Sequence, residues 1–195
     1  MPRLNRFQSL HPGVDIRVSA NNRVGDLRNE GIDLAIRYTS SALAPAGAVR
    51  LFSESIAPVA HPSLGLKLHG SMKTPPSCSL LEFDDALHPW LQWSDWFTPD
   101  EWTDSKPKSV IHFNQYDQVI QAALAGQGMA LGRLELIQPL LDEGRLVMIA
   151  PPKTLGDTAH SYWLIKAEEQ SREDVAHVAN WIEKEASITQ NWGIA

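Results

Sequence analysis

Between Asn114 and Val147 the sequence reads NQYDQVIQAALAGQGMALGRLELIQPLLDEGRLV, and few arrangements satisfy it. Val119, Ile120, Ala123 and Leu124 recur at helical spacing and give a first helix one apolar face. Gly126 and Gly128 follow at once, where glycine supplies the left-handed backbone that ends a helix. Met129 to Leu131 is an apolar run too short for a helix and suited to a buried strand. The spacing predicts a second helix from about Leu134 to Asp142, stopped at Gly144, and a buried strand from Leu146 to Ile149. Two strands joined by a helix make the right-handed crossover of a parallel sheet, so the stretch predicts an α/β protein.

The rest of the chain extends that pattern on both sides. Leu4, Phe7 and Leu10 lie three apart, as on a helix that Pro12 and Gly13 end. Val14, Ile16 and Val18 alternate with Asp15 and Arg17, which predicts a strand. A polar loop follows from Ser19 to Arg23, then a short helix from about Val24 to Asn29, then a buried strand from Ile32 to Ile36. Further strands are expected around Leu51-Phe52, Ile56 to Val59, Leu80 to Phe83, Ser109 to Phe113 and Tyr162 to Ile165. Ser171 and Asp174 resemble a helix start. Val175, Val178, Ile182 and Ala186 continue it at helical spacing, and residues 189–195 read as a loose tail. Trp90, Trp93, Trp96 and Trp102 crowd an acidic stretch, with two readings open: an aromatic box for a ligand, or packing of a short helix on the sheet.

Composition closes off several functions. The formal net charge is -6 and no dense Lys/Arg block occurs, which argues against this chain alone gripping nucleic acid. The single cysteine, Cys78, permits no internal disulfide and no cysteine-based metal site, and suits a reducing cytoplasm. The opening MPRLNRFQSL lacks the apolar core of a signal peptide, and no apolar run approaches the ~20 residues that span a bilayer. The seven histidines are scattered without metal-ligand spacing. Gly126 to Gly132 has the helix before the glycines and the strand after, the reverse of a dinucleotide-binding loop. No nucleophile elbow or catalytic constellation is present, so neither enzymatic activity, a cofactor nor a metal is expected.

The run A-A-x-x-G-x-G-M-A-L-G from Ala122 to Gly132, with E-G-R-L-V from Glu143 to Val147, resembles the effector-binding domain of LysR-type transcriptional regulators. The likeness is to the subgroup of the glycine-cleavage activator. F-x-x-x-H-P-x-V-x-I-R-V from Phe7 to Val18, D-L-R-N-E-G-I-D-L-A-I-R-Y from Asp26 to Tyr38, and Tyr162-Trp-Leu-Ile165 carry the same resemblance. It implies two Rossmann-like α/β subdomains around a central cleft, like a type 2 periplasmic binding protein. The expected division is residues 1–57 plus 153–195 for the first and 58–152 for the second. Relative to the family's pattern, Met1 falls at the first helix, so the opening strand and the N-terminal helix-turn-helix are expected to lie outside this sequence.

The resemblance implies a cytoplasmic sensor that binds a small effector, assembles as a homo-oligomer and reaches DNA only through the domain not included here. Positions that follow strand ends would face a ligand in the cleft. They are Asn21, Asn22, Arg37 and Tyr38 in the first lobe, and Glu82, Phe83, Asn114 and Gln115 in the second. Asn114 and Gln115 open a helix whose free N–H groups favour an anion, and the Arg37 guanidinium can grip a carboxylate, so an acidic effector is expected. Two alternatives share the fold: a solute-binding protein of a transporter, and a truncated remnant whose sheet edges are exposed.

Overall fold

The computed structural model describes residues 3–20, 25–66, 78–84, 89–97, 107–154, 160–168 and 172–191. The chain divides into two compact units, residues 1–53 with 156–195 and residues 54–155. Those borders lie three or four residues from the expected ones.

In the first unit, β1 (Leu34–Thr39) and β2 (Val49–Phe52) flank β9 (Ser161–Lys166), both antiparallel to it. A long helix from Glu173 to Asn191 packs on this sheet through Ala179, Ile182 and Ala186, against Leu51, Tyr162 and Leu164. The expected 3.6-residue stripe is therefore a core face. The N-terminal helix α1 (Leu4–Leu10) buries Phe7 completely, its ring 5.3 Å from that of Trp181. Arg3 donates to the Glu185 carbonyl and to Thr189 Oγ1, at 3.1 and 3.0 Å. These bonds hold the end of the long helix, so residues 189–191 are helical where a loose tail was expected.

Two other expectations fail here. Residues 14–20 form no regular element and join no ladder among the described residues. Val14 and Ile16 are half-buried and Asp15 and Arg17 exposed, but Val18 is exposed as well, so the alternation stops at Ile16; a strand also needs a backbone partner. The short helix expected from Val24 to Asn29 is, in its described part, a single turn. The Asp26 carboxylate accepts the N–H groups of Arg28 and Asn29, a local bond that competes with helix extension, and Gly31 reverses the chain at φ 65°.

The second unit contains a mixed sheet in the order β5-β4-β6-β3-β7, with β8 also on β3. Its strands are β3 (Ser55–Ala60), β4 (Ser79–Phe83), β5 (Ser109–Phe113), β6 (Met129–Arg133), β7 (Val147–Met148) and β8 (Lys153–Thr154). β4 runs parallel to β5 and β6, while β3 runs antiparallel to β6, β7 and β8. The crossover from Met129 to Ile149 therefore exists, but its two strands are not neighbours. β3 lies between them, which period and spacing do not reveal.

The helices of this unit are α2 (Trp93–Trp96), α3 (Tyr116–Leu124) and α4 (Leu134–Asp142); the long helix Glu173–Asn191 of the first unit is α5. α3 contributes Val119, Ile120, Ala122 and Ala123 to a core shared with Ile56, Val59, Leu80, Leu81, Met129 and Leu146. α3 and α4 both end in Schellman geometry. Gly126, at φ 70°, sends its N–H to Ala123, and Gln127 bonds Ala122; Gly144, at φ 67°, and Arg145 do the same with Leu141 and Leu140. Gly128 has a different task from the helix-ending role expected of it. A Cβ there would stand 2.4 Å from the Ser79 carbonyl oxygen, so its hydrogen lets β6 begin directly against β4.

Among the described residues no helix is long and apolar enough to cross a membrane. The two glycines separate two costs. Gly126→Ala is expected to destabilise by about 1 kcal/mol, chiefly through backbone strain, its Cβ meeting only the Ser63 hydroxyl at 3.2 Å. Gly128→Ala must displace backbone and is expected to cost more, about 2–3 kcal/mol, as overpacking does. Urea unfolding of both variants checks the order; equal costs would remove the close-approach role of Gly128.

Candidate functional site

In the second unit the chain directions bring several polar groups to one sheet edge. β4, β5 and β6 end there at Phe83, Phe113 and Arg133, and antiparallel β3 starts there, with Ile56 opposite Arg133. Two helices also begin at this edge, α3 at Tyr116 and α4 at Leu134. The carboxyl ends of strands and the N-termini of helices thus meet, the usual location of ligand sites in α/β sheets.

A buried ionic cluster forms this edge. Glu54, fully buried, accepts a hydrogen bond from Arg133 Nε, and its other oxygen accepts from Trp90 Nε1 at 3.3 Å. The Arg133 backbone N–H donates to the Tyr116 hydroxyl at 2.7 Å, and the guanidinium carbon lies 5.4 Å from the Tyr116 ring centroid. Burial pushes the Tyr116 phenol well above its ordinary range, so it remains a neutral hydroxyl. Glu135, in the first turn of α4, accepts the Ser55 N–H at 3.0 Å. Its carboxyl is raised above the usual range, first by burial and further by the nearby Glu54 charge, with the Ser55 bond opposing. One charge pair therefore joins β3, β6, α3 and the Trp90 segment.

Beside this cluster is a recess of about 200 Å³ lined by Ile56, Trp90, Asp95, Trp96 and Lys153. Lys153 comes from β8, opposite Ile56. Its ammonium lies 4.1 Å from the Trp96 ring centroid and 3.3 Å from the Trp96 carbonyl oxygen. The tryptophans divide between the two readings left open by the sequence. Trp93 is core: it is buried, donates Nε1–H to the Leu81 carbonyl at 3.1 Å and stacks on Phe97 at 5.7 Å. Trp90 and Trp96 are half-buried and form recess walls. Trp102 lies outside the described residues.

The residues expected at strand ends are placed as follows. Asn21 and Asn22 lie outside the described residues. In the first unit Arg37 is half-buried and its guanidinium donates to the Gly25 carbonyl. Tyr38 packs its ring on Tyr162 and His160, at 4.9 and 5.4 Å. In the second unit Glu82 accepts the Trp93 N–H at 2.8 Å and stands 3.2 Å from His112 Nδ1. Phe83 is buried in the core, its ring 6.0 Å from that of Tyr116. Asn114 and Gln115 are exposed beside the start of α3; Gln115 holds the N-cap position without a side-chain cap bond.

Glu54, Tyr116, Arg133 and Lys153 were missed. Arg133 had a readable signal, because a lone arginine at the end of an apolar strand is the pattern that singled out Arg37. Glu54 and Lys153 had none, since their role depends on pairings 79 and 57 residues away in sequence. Among the described residues no group of three or more His, Cys, Asp or Glu is placed to hold a metal.

Comparison with known proteins agrees with this architecture. The family described as "LysR substrate binding domain" matches residues 1–187. The Glycine cleavage system transcriptional activator of Escherichia coli (strain K12) is 29% identical over 199 aligned positions, covering 97% of this chain and 61% of that protein. HTH-type transcriptional activator AmpR of Pseudomonas aeruginosa is 27% identical over 173, covering 87% and 55%. The chain thus spans about three-fifths or less of the length of these curated relatives. Among solved structures, the effector domain of Pseudomonas aeruginosa AmpR superposes with a TM-score of 0.66 at 24% identity, covering 100% of this chain and 91% of that one. The Citrobacter freundii AmpR effector-binding domain gives 0.63 at 24%, covering 96% and 90%. These two likenesses establish the fold, an α/β architecture of the type 2 periplasmic-binding-protein kind.

The raised Glu135 carboxyl sets a pH dependence. A folded-state value above the unfolded one means that the charged form costs stability. That cost is full above the raised value and disappears below the ordinary glutamate value of about 4.3. Glu135→Gln keeps an oxygen for the Ser55 N–H. It is expected to raise the thermal midpoint near neutral pH, with the gain shrinking to nothing by about pH 4. Melting curves across that range check it; a gain that grows toward acid would reverse the assignment.

Proposed function

Because the chain belongs to the LysR substrate-binding domain family, we propose that it senses a small, acidic effector for a transcriptional regulator. The relatives are named as transcriptional activators, which supports a regulatory role and not an enzymatic one. Their greater length leaves DNA binding to a part of the full regulator outside these residues. The structural observation that carries the reading is the exposed start of α3, Asn114 and Gln115, at the carboxyl ends of β4, β5 and β6. The free N–H groups of a helix start favour a carboxylate. Arg37, half-buried on β1, offers the first unit a cation of its own for the same class of ligand.

The domain would act by changing the population of two arrangements that differ in effector affinity, because only differential binding shifts an equilibrium. We place it in the cytoplasm, in a homo-oligomer assembled through these domains.

The reading is tested by calorimetry with a panel of small carboxylates and their neutral amides. One or more acids are expected to bind, the amides to bind weakly, and Arg37→Ala to weaken the acid by about tenfold, the effect of losing a charge-assisted hydrogen bond. Equal binding of acids and amides would refute an acidic effector; unchanged affinity in Arg37→Ala would take Arg37 out of the site.

A further inference from the structure

The recess between Trp90 and Trp96 has a chemistry that the acid-binding edge does not require. Its walls are apolar: the Ile56 side chain, 2% exposed, and two indoles. Trp90 is held in place by its bond to the buried Glu54 carboxylate. Two opposite charges border these walls, the Lys153 ammonium and the exposed Asp95 carboxylate. They do not pair with each other, and among the described residues Asp95 makes no other ion pair. Lys153 carries three N–H donors, and the Trp96 carbonyl accepts one.

Size narrows the occupant. At about 200 Å³ the recess falls below the ~300–1,000 Å³ of sites for drug-sized ligands, which points to a small occupant. The complement of a cation, an anion and aromatic walls in that volume is a small zwitterion with an apolar side chain.

We infer that this recess binds a free α-amino acid with an apolar side chain, its carboxylate on Lys153, its ammonium on Asp95, and its side chain between Trp90 and Trp96. The inference rests on the reading of the chain as an effector-sensing domain and names a ligand class for one site within its second unit. Neither charge is buried, so both can be neutralised without loss of the fold.

The test is calorimetry with L-phenylalanine, 3-phenylpropionate, which lacks the ammonium, and phenethylamine, which lacks the carboxylate. L-Phenylalanine is expected to bind at least about tenfold more tightly than either single-charge analogue. Lys153→Met should weaken L-phenylalanine by about tenfold and leave phenethylamine unchanged; Asp95→Asn should weaken it similarly and leave 3-phenylpropionate unchanged. An amino acid that binds equally well to both variants would overturn the recess as its site. Binding of 3-phenylpropionate as tight as that of L-phenylalanine would overturn the zwitterion. If carboxylates bind and respond to Arg37→Ala while the recess variants change nothing, this inference fails and the sensing role stands. If no ligand binds at all, both fail.

Discussion

The pair of Glu54 and Arg133 is the interaction on which the carboxyl end of the second unit's sheet depends. Glu54 is the first residue of that unit and is fully buried. A carboxylate placed there without a cation would cost several kcal/mol of desolvation, so its burial is tolerable only because Arg133 meets it. The pair also orders its surroundings. Through Arg133 it meets Tyr116 at the start of α3, and through Glu54 it fixes Trp90 at the recess. Such pairs contribute little net stability over apolar packing, and their loss of one member is costly. Its value here lies in fixing positions.

In the proposed reading this edge offers two kinds of recognition. The exposed start of α3 suits negative charge, while the indoles beside Lys153 suit an apolar body. The core behind is apolar throughout, from Ile56 and Val59 to Leu80, Met129 and Leu146, and it supplies a rigid base. Neutral Tyr116 adds a hydroxyl to the same edge without adding a charge.

Much of the fold was legible because it is encoded locally. The apolar face of α3, the left-handed glycines at 126 and 144, and the strand Ser109–Phe113 each follow from spacing or from one residue's backbone freedom. What failed was non-local. Val14 to Val18 has the alternation of a strand, but no ladder partner among the described residues. Gly128 resembles its neighbour Gly126 in sequence, yet its reason is the Ser79 carbonyl on another strand. The strand inserted between β6 and β7 comes from more than sixty residues earlier. The site shows the same division. Glu82 and Asn114 stand at the strand ends where counting puts them, with Glu82 bonded to the Trp93 N–H, whereas Glu54 and Lys153 meet partners that only folding brings to them. Phe83 and Tyr38 stand at the expected strand ends but pack their rings against other aromatics.

The most direct measurement is a double-mutant cycle on the buried pair, read by urea unfolding of the wild type, Arg133→Met, Glu54→Met and the double variant. Each single replacement leaves one buried charge uncompensated and is predicted to lose about 3–5 kcal/mol. The double variant should lose far less than the sum, because no charge then remains buried. Losses that simply add would contradict the account, since they would mean that Glu54 and Arg133 do not hold this edge by acting on each other.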